Sequence, residues 1–212
     1  MNPQLDDEHA INIKNLKNLF KPYSVRKGSF ARAEDVKSSK VASVLIALQW
    51  VAGDWHVLLT KRAEHLSRSG GEICFPGGIQ DKEDCGNAVT TAYREAEEEI
   101  GLTEKNAEFI AQLPWIRTRF NIVIYPIVAV LKGQWTPSPS EDEVAELFTA
   151  PLSLFLSSTS YTAFRMNNFH FHSFIYDDKN VFGITAWLCV ITAHFVITLR
   201  LTITIAYSKP NA

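Results

Sequence analysis

Two apolar runs separated by a short polar turn stand out in the first third of the chain. Val41 to Val51 is rich in Val, Ile and Leu, and Trp55 to Thr60 is a second apolar run. Gly53-Asp54 lies between them. Two short runs of this composition, joined by such a pair, predict a β-hairpin.

Further strands are predicted at residues 107–113, 122–131 and 168–174, which have similar apolar composition. Pro126 falls within the second of these segments. Because proline cannot donate a hydrogen bond to a sheet ladder, it predicts a sheet edge or a bulge at this strand. Another short apolar strand is predicted to end at Pro76, before Gly77 and Gly78, which allow backbone approaches that a Cβ would forbid.

Between residues 88 and 100 the apolar period changes to that of a helix. At about 100° per residue, one apolar stripe is formed by Ala88, Ala92, Ala96 and Ile100. Gly101 is placed to end the helix as a C′ glycine does. Beside the stripe, within roughly one third of the circumference, lie three acids: Glu95, Glu98 and Glu99. Glu97 is expected to point the other way.

Three carboxylates on one helical face repel each other unless a cation lies between them. Hard divalent cations such as Mg²⁺ bind oxygen ligands and bridge carboxylates to substrate phosphates. The cluster is therefore consistent with a metal site. It is equally the pattern of a solvated acidic helix face, and the charges alone do not choose between the two.

The segment from Arg94 to Leu102 resembles the signature of the Nudix hydrolases, Arg-Glu-(apolar)-x-Glu-Glu-x-Gly-(apolar), at every specified position. The resemblance implies an α/β/α sandwich with a mixed sheet and a catalytic helix. It implies hydrolysis of a small-molecule diphosphate with Mg²⁺ or Mn²⁺ held by Glu95, Glu98 and Glu99. Glu95 and Glu99 are expected to be the most critical catalytic groups, with Arg94 orienting a helix glutamate.

The loop before this helix departs from the family pattern. Counting back from Arg94 places Gly86 where the signature has a glutamate, so the loop is longer than usual by two residues. Three acids lie nearby, Asp81, Glu83 and Asp84. Which of them replaces the missing glutamate is left open by the sequence.

A narrower resemblance, to the coenzyme A diphosphatases of the family, covers residues 58–78. Leu58-Leu59-Thr60-Lys61-Arg62-Ala63 is followed by Gly71-Glu72-Ile73-Cys74-Phe75-Pro76-Gly77-Gly78. One position that is usually arginine is Ser67, with Arg68 next to it. The resemblance implies coenzyme A or an acyl-coenzyme A as substrate, with substrate contacts from Arg62, Arg68, Phe75, Gly77 and Gly78.

Arg62 and Arg68 are candidates for recognising an additional phosphate, because guanidinium groups match phosphate oxygens. A solvated charge is the other interpretation of this polar loop, predicted over residues 61–71. Two further functions also stay open: a general diphosphatase of dinucleotides or nucleotide sugars, and a non-catalytic nucleotide-binding module.

Glu143 lies in the segment Glu141 to Phe148, which precedes Pro151-Leu152. Some Nudix enzymes take a further metal ligand or base from a similar region. The resemblance makes Glu143 a candidate for that role, and a solvated strand acid is the alternative.

Composition limits the remaining possibilities. The chain has 212 residues, 46% of them hydrophobic and 21% charged, which is ordinary for a globular protein. A net charge of −2 gives no reason to expect nucleic-acid binding through bulk charge. Three cysteines without paired spacing argue against a disulfide framework or zinc site and favour a reducing compartment.

We expect a Nudix domain over residues 41–199, after an N-terminal extension over residues 1–40 and before an atypical tail over 200–212. Ile11, Leu16, Leu19 and Phe20 predict a short amphipathic helix within the extension. Val181 to Leu199 contains no Asp, Glu, Lys or Arg and is long enough to span a bilayer. A final core helix, a membrane tail and a divergent C-terminus all remain possible.

The compartment is also open. Some members of the coenzyme A group are peroxisomal and end in a Ser-Lys-Leu-type signal. In this sequence Ser208-Lys209 is followed by three further residues, so the expectation is an intracellular protein without that address as written.

Overall fold

The computed structural model describes residues 13–21, 40–166 and 169–198. The helices are α1 (residues 13–20), α2 (Ala88–Ile100) and α3 (Gly183–Ala193). The strands are β1 (Lys40–Val51), β2 (Asp54–Arg62), β3 (Ile73–Cys74), β4 (Gly77–Ile79), β5 (Ala107–Gln112), β6 (Ile116–Arg117), β7 (Ile122–Leu131), β8 (Val144–Pro151), β9 (Tyr161–Met166), β10 (Phe169–Tyr176) and β11 (Lys179–Phe182). Short 3₁₀ turns cover Lys82–Asp84 and Leu152–Leu156, and a π-helical turn, His194–Thr198, follows α3.

A mixed sheet forms the centre of the molecule, as the sequence predicts. β1 pairs antiparallel with β2 and parallel with β7. β8 adds to the far side of β2, and β5 to the far side of β7. The shorter strands β3, β4 and β6 pair with β2, β1 and β7 respectively. The predicted hairpin is confirmed, since Val51 lies opposite Asp54 across the turn.

Helices cover both faces of this sheet, which gives the α/β/α sandwich. Alternate residues of β1 point to opposite faces, as a strand requires. Leu45 and Ala47 pack in one buried cluster with α2, whereas Ile46 and Leu48 pack in another with α1 and α3. α2 is therefore the main helix on one face of the sheet.

The helix predicted near the N-terminus packs on the second face. Leu16 and Phe20 of α1 are fully buried, and the Phe20 ring lies 5.7 Å from that of Phe195, centroid to centroid. The apolar C-terminal segment also packs there, because Leu188, Cys189 and Val196 are buried in the same cluster. This arrangement agrees with the core-helix interpretation of that segment; Ile11 and residues 199–212 lie outside the described residues.

In the parts of the chain that the structure describes, no helix is both long enough and apolar enough to cross a membrane. A separate three-stranded antiparallel sheet, β9–β10–β11, precedes α3. It includes the strand predicted at residues 168–174.

The prediction that Pro126 marks a sheet edge is wrong, whereas a bulge or irregularity is present nearby in the pairing of β7 with β5, between Phe109 and Ala111. β7 is continuous and central, with Val44 of β1 beside Pro126. The Pro126 carbonyl accepts a hydrogen bond from the N–H of Leu113, which lies between β5 and β6. Since N–H and C=O of one strand residue point the same way, the missing donor faces Leu113, in the gap between those two strands. The proline therefore cannot return the hydrogen bond to Leu113, but it leaves the pairing of β7 with β1 continuous.

Two other boundaries differ from expectation. The strand predicted to end at Pro76 contains only Ile73–Cys74, and a further strand, Gly77–Ile79, begins directly after the proline and pairs with β1. Lys61 and Arg62 belong to β2 rather than to the following loop. Arg62 is therefore held by the sheet, because β2 continues to pair with β8 as far as this residue.

Candidate active site

α2 is held against the sheet by its small apolar stripe. All four stripe residues, Ala88, Ala92, Ala96 and Ile100, are buried. Asn87 caps the N-terminus by accepting from the N–H of Val89 at 3.0 Å. Gly101 ends the helix with φ +72° and donates to the carbonyl of Glu97, as predicted. Alanines let the helix approach closely, so the acids beside the stripe are brought to the sheet.

The two glycines of β4 leave the space in which those acids lie. A Cβ on Gly78 would be 2.2 Å from Oε2 of Glu95, and one on Gly77 would be 2.3 Å from the Ser43 carbonyl oxygen. The Gly77 N–H also donates to Oε2 of Glu99 at 3.3 Å. The Gly-Gly pair thus makes room for helix carboxylates on one side and for the β1 backbone on the other.

Glu99 is the deepest of the acids. Its side chain is 5% exposed, and the nearest cation is Arg62, whose Nη1 lies 4.0 Å from Oε1. Burial raises the pKa of Glu99 to about 8, with a further increase from Glu95 that the Arg62 charge opposes. In this arrangement the carboxyl is largely neutral at pH 7. A cation placed nearby would favour its ionised form.

The Arg62 guanidinium does not use all of its hydrogen-bond donors within the described residues. Its Nε is buried and has no hydrogen-bond partner among the described residues. Leaving a buried donor unpaired is costly, so this guanidinium is suited to an acceptor supplied by a ligand. Sequence reasoning named Arg62 as a substrate contact, and the structure places it between the acids and the cavity described below.

Arg94 forms ion pairs with two glutamates of its own helix and with an acid of the preceding loop. Its guanidinium lies 2.8 Å from Oε1 of Glu95 and 3.0 Å from Oε2 of Glu98. It also forms a two-pronged pair with Asp84, with Nε 3.0 Å from Oδ1 and Nη2 3.1 Å from Oδ2. This pairing holds the pKa of Asp84 below its usual range.

Among the three loop acids, Asp84 therefore makes the closest contacts with the signature arginine, and Asp81 lies further away, 3.8 Å from Nη2. It is buried, and it also accepts from the Thr91 hydroxyl at 2.9 Å and from the Asp81 N–H at 2.9 Å. Glu83 is exposed. The 3₁₀ turn Lys82–Asp84 places the Asp84 carboxylate against the helix, in contact with Thr91 and Arg94.

The remaining glutamates divide by exposure. Glu95 is mostly buried, and burial raises its pKa against the opposing effect of Arg94, with smaller increases from Glu98 and Glu143. The Glu98 side chain is 56% exposed. Glu97 is exposed, as the helical spacing predicts. Glu143 acts electrostatically on both Glu95 and Glu99, and its carbonyl accepts from the Ala63 N–H at 2.9 Å. The candidate acid of the distant segment is thus brought to the helix glutamates.

The glutamates of α2 are candidate ligands for a divalent cation. Within residues 13–21, 40–166 and 169–198, no three His, Cys, Asp or Glu side chains are already gathered around one point. Arg94 holds Glu95 and Glu98 instead. The donor chemistry nevertheless fits, because carboxylate oxygens suit Mg²⁺ and Mn²⁺. Burial raises the pKa values of Glu95 and Glu99, with further increases from Glu98 and Glu143 at Glu95 and from Glu95 and Glu143 at Glu99. An added positive charge would oppose these increases.

A cavity of about 570 Å³ lies beside Arg62 and Gly77, which contact Glu99, and none of the four glutamates of α2 lines it. Its lining includes Arg62, Arg68, Phe75 and Gly77, four of the five substrate contacts expected from the sequence. The fifth, Gly78, lies against Glu95 instead. Phe75 is also part of the buried core, so only a small part of its ring can face a ligand.

The loop between β2 and β3 closes tightly over this cavity wall. Gly71, at φ +76°, donates to the carbonyl of Arg62, and the Arg62 N–H donates to the carbonyl of Glu72. A Cβ on Gly70 would lie 2.6 Å from the Glu64 carbonyl oxygen. The compact turn presents Arg68, which is exposed and forms no ion pair among the described residues.

Sequence reasoning missed another part of the lining. This part comes from the end of β6 and the turn that leads into β7, and it consists of Arg117, Thr118, Arg119 and Phe120. Phe171, Phe182 and Ile184 add apolar surface from β10, β11 and α3. The signal that was available is the pair of arginines beside an aromatic residue at 117–120, in a segment without acids.

A family comparison matches residues 40–173 to the NUDIX domain. The peroxisomal coenzyme A diphosphatase ndx-8 of Caenorhabditis elegans is 41% identical over 140 residues, 65% of this chain and 60% of the relative. The peroxisomal coenzyme A diphosphatase NUDT7 of Mus musculus is 33% identical over 171 residues, 76% of this chain and 72% of the relative.

Nudix hydrolase 15, mitochondrial, of Arabidopsis thaliana is 31% identical over 184 residues, 82% of this chain and 61% of the relative. The chain thus spans about three fifths of the length of two of these proteins. The matched NUDIX domain includes β1 to β8, α2 and every candidate site residue from Arg62 to Glu143. The chain belongs to the Nudix hydrolase family.

Proposed function

We propose that this protein hydrolyses the diphosphate of coenzyme A or its thioesters. The products are 3′,5′-ADP and 4′-phosphopantetheine or its acyl derivative. The observation that carries the proposal is the position of Glu99, buried beside Arg62 and Gly77, two residues that line the cavity. A diphosphate bound in the cavity would contact a fixed cation and lie next to this carboxyl group.

Glu95, Glu98 and Glu99 are the proposed ligands of Mg²⁺ or Mn²⁺, with Glu143 as a further candidate. When bound, the cation neutralises diphosphate charge and lowers the pKa of an attached water. Glu95 or Glu99 accepts the proton of the attacking water, as a positioned general base. Arg94 acts as a positioning residue, because its guanidinium is paired with Glu95, Glu98 and Asp84.

Arg62 and Arg68 divide the recognition of phosphate between them. The Arg62 guanidinium lies beside Glu99 and carries an unpaired Nε, so it suits an oxygen of the diphosphate itself. Arg68 lies on the exposed loop of the cavity, where a phosphate further from the reacting bond would lie. Coenzyme A has such a phosphate at its ribose 3′ position.

Two similar proteins support the choice of substrate, because each is a coenzyme A diphosphatase by name. The test is a panel of diphosphates, including coenzyme A, dephospho-coenzyme A, ADP-ribose and a dinucleotide, with Mg²⁺ or Mn²⁺ and product identification by mass. We expect coenzyme A to give 3′,5′-ADP at the highest kcat/KM. Similar turnover of ADP-ribose would indicate a general diphosphatase, and binding without any product would indicate a non-catalytic module.

A further inference from the structure

The β6–β7 turn (residues 118–121) and the β2–β3 loop lie on opposite sides of β1 in the strand order of the sheet. Two exposed residues of this turn line the cavity. β6 pairs with the start of β7, while β3 pairs with β2, and β1 lies between β7 and β2. Both segments nevertheless line the same cavity. A ligand in it can therefore be held from two sides.

The β6–β7 turn is well organised by its own hydrogen bonds. The Thr118 hydroxyl accepts from the N–H groups of Phe120 and Ile122, at 3.3 and 3.1 Å. The Thr118 N–H donates to the carbonyl of Ile122, and the Asn121 N–H donates to that of Thr118. Arg117 donates to the Asn121 side chain at 2.7 Å. Arg119 and Phe120 are thus presented at the tip of a prearranged turn.

These two tip residues combine a cation with an open aromatic surface. Phe120 is 71% exposed, and the Arg119 guanidinium lies 4.7 Å from the centre of its ring. Arg119 forms no ion pair with a carboxylate among the described residues, and residues 114–122 contain no acid. An exposed aromatic ring bearing a free positive charge is suited to a nucleobase that carries a nearby phosphate.

We infer that the β6–β7 turn binds the 3′-phosphoadenosine half of the substrate, with Phe120 stacking on the adenine and Arg119 sharing the 3′-phosphate with Arg68, which lines the same cavity. This inference rests on the proposed function, since coenzyme A is the diphosphate that carries a 3′-phosphate. It also orients the substrate, because the apolar lining from Phe171, Phe182 and Ile184 is left for the pantetheine or acyl half.

The test is equilibrium binding of 3′,5′-ADP and of 5′-AMP, measured by calorimetry on the full chain, for the wild type and for Arg119→Ala, Phe120→Ala and Phe120→Trp. Arg119→Ala should weaken 3′,5′-ADP by at least about ten-fold and change 5′-AMP little, because only the former has the additional phosphate. Phe120→Ala should weaken both ligands by roughly ten-fold. Phe120→Trp, which keeps a stacking surface, should restore both.

Lys105→Ala is the matched control, since Lys105 is an exposed cation outside the cavity lining. If Arg119→Ala and Phe120→Ala bind both nucleotides as Lys105→Ala does, the inference is overturned. It is also overturned if the wild type does not prefer 3′,5′-ADP to 5′-AMP. A wild type that shows this preference through Arg119 but releases no product from coenzyme A would overturn the proposed function and leave the turn's role standing.

Discussion

Replacing Glu99 by Gln should make the metal-free protein more stable while removing its activity. The Glu99 carboxyl is buried, and its pKa is about 8 in the folded protein against 4.5 for the free side chain. In the unfolded chain the same carboxyl is ionised at neutral pH. Folding therefore forces it to take up a proton, and Gln, which is always neutral, avoids this cost.

The magnitude follows from linkage between proton binding and folding. Below about pH 4.5 the carboxyl is neutral in both states, and its burial carries no ionisation penalty. Between about pH 4.5 and about pH 8 the folded state holds a proton that the unfolded state has lost, so the free energy of unfolding falls as pH rises. At about 1.4 kcal/mol per pKa unit, the penalty is roughly 3 kcal/mol at pH 7 and at most roughly 5 kcal/mol above pH 8.

Urea denaturation in EDTA at pH 5, 6, 7 and 8 measures this penalty. We expect the free energy of unfolding of the wild type to fall across the series more steeply than that of Glu99→Gln, and the variant to be the more stable at pH 7 and 8. Glu97→Gln, at an exposed position of the same helix, is the matched control and should follow the wild type.

Adding Mg²⁺ should then reverse the order. A cation that binds the folded state stabilises it by mass action, and the wild type offers an ionisable ligand that Glu99→Gln lacks. Turnover should be lost in Glu99→Gln at every pH. Two results in EDTA would show that Glu99 is already ionised in the folded protein. One is a free energy of unfolding of the wild type that changes as little with pH as that of Glu99→Gln. The other is a Glu99→Gln variant that is less stable than the wild type at pH 8.

Other substitutions test neighbouring parts of the site. Glu98→Gln should abolish most turnover with the fold intact by circular dichroism, whereas equal loss in Glu97→Gln would refute the helical-face argument. Arg68→Ala should lower kcat/KM for coenzyme A by about ten- to hundredfold and kcat/KM for dephospho-coenzyme A much less. Arg62→Ala should lower kcat/KM for both substrates alike. The reverse pattern would show that Arg62 binds the 3′-phosphate and Arg68 the diphosphate. Gly78→Ala should lower kcat with little change in Tm, because its Cβ meets only the end of the flexible Glu95 side chain. Gly77→Ala should lower Tm, because its Cβ meets the backbone of β1. Equal losses of Tm in the two variants would contradict this reasoning.

The helix and its charges could be predicted from the sequence because both depend on local spacing. The alanine stripe, the Gly101 terminus and the exposure of Glu97 follow from the period of 3.6 residues alone. The depth of Glu99 does not, because it depends on how closely Gly77 and Gly78 allow the helix to approach β1. Spacing places an acid on a face, and packing between elements decides how far it is from water.

Long-range pairing explains what could not be predicted. Pro126 suggested an edge strand because its missing donor was considered without its neighbours, and the gap between β5 and β6 that accommodates it comes from a separate segment of the chain. Arg119 and Phe120 belong to a four-residue turn without periodicity, so only the composition of residues 117–120 marks them in the sequence. Only the pairing of β6 with β7 and of β3 with β2 brings that turn to the cavity shared with Arg68.

Asp84 links assembly of the loop to assembly of the reactive centre. The same carboxylate closes the 3₁₀ turn through the Asp81 N–H, fastens it to the helix through Thr91, and neutralises Arg94. In this fold the buried Asp84 carboxylate is paired by Arg94, and Arg94 has its two-pronged partner only when the loop is closed. Formation of the turn and alignment of Glu95 and Glu98 are therefore expected to be one cooperative event, so that a molecule with an open loop would have lost its arrangement of acids as well.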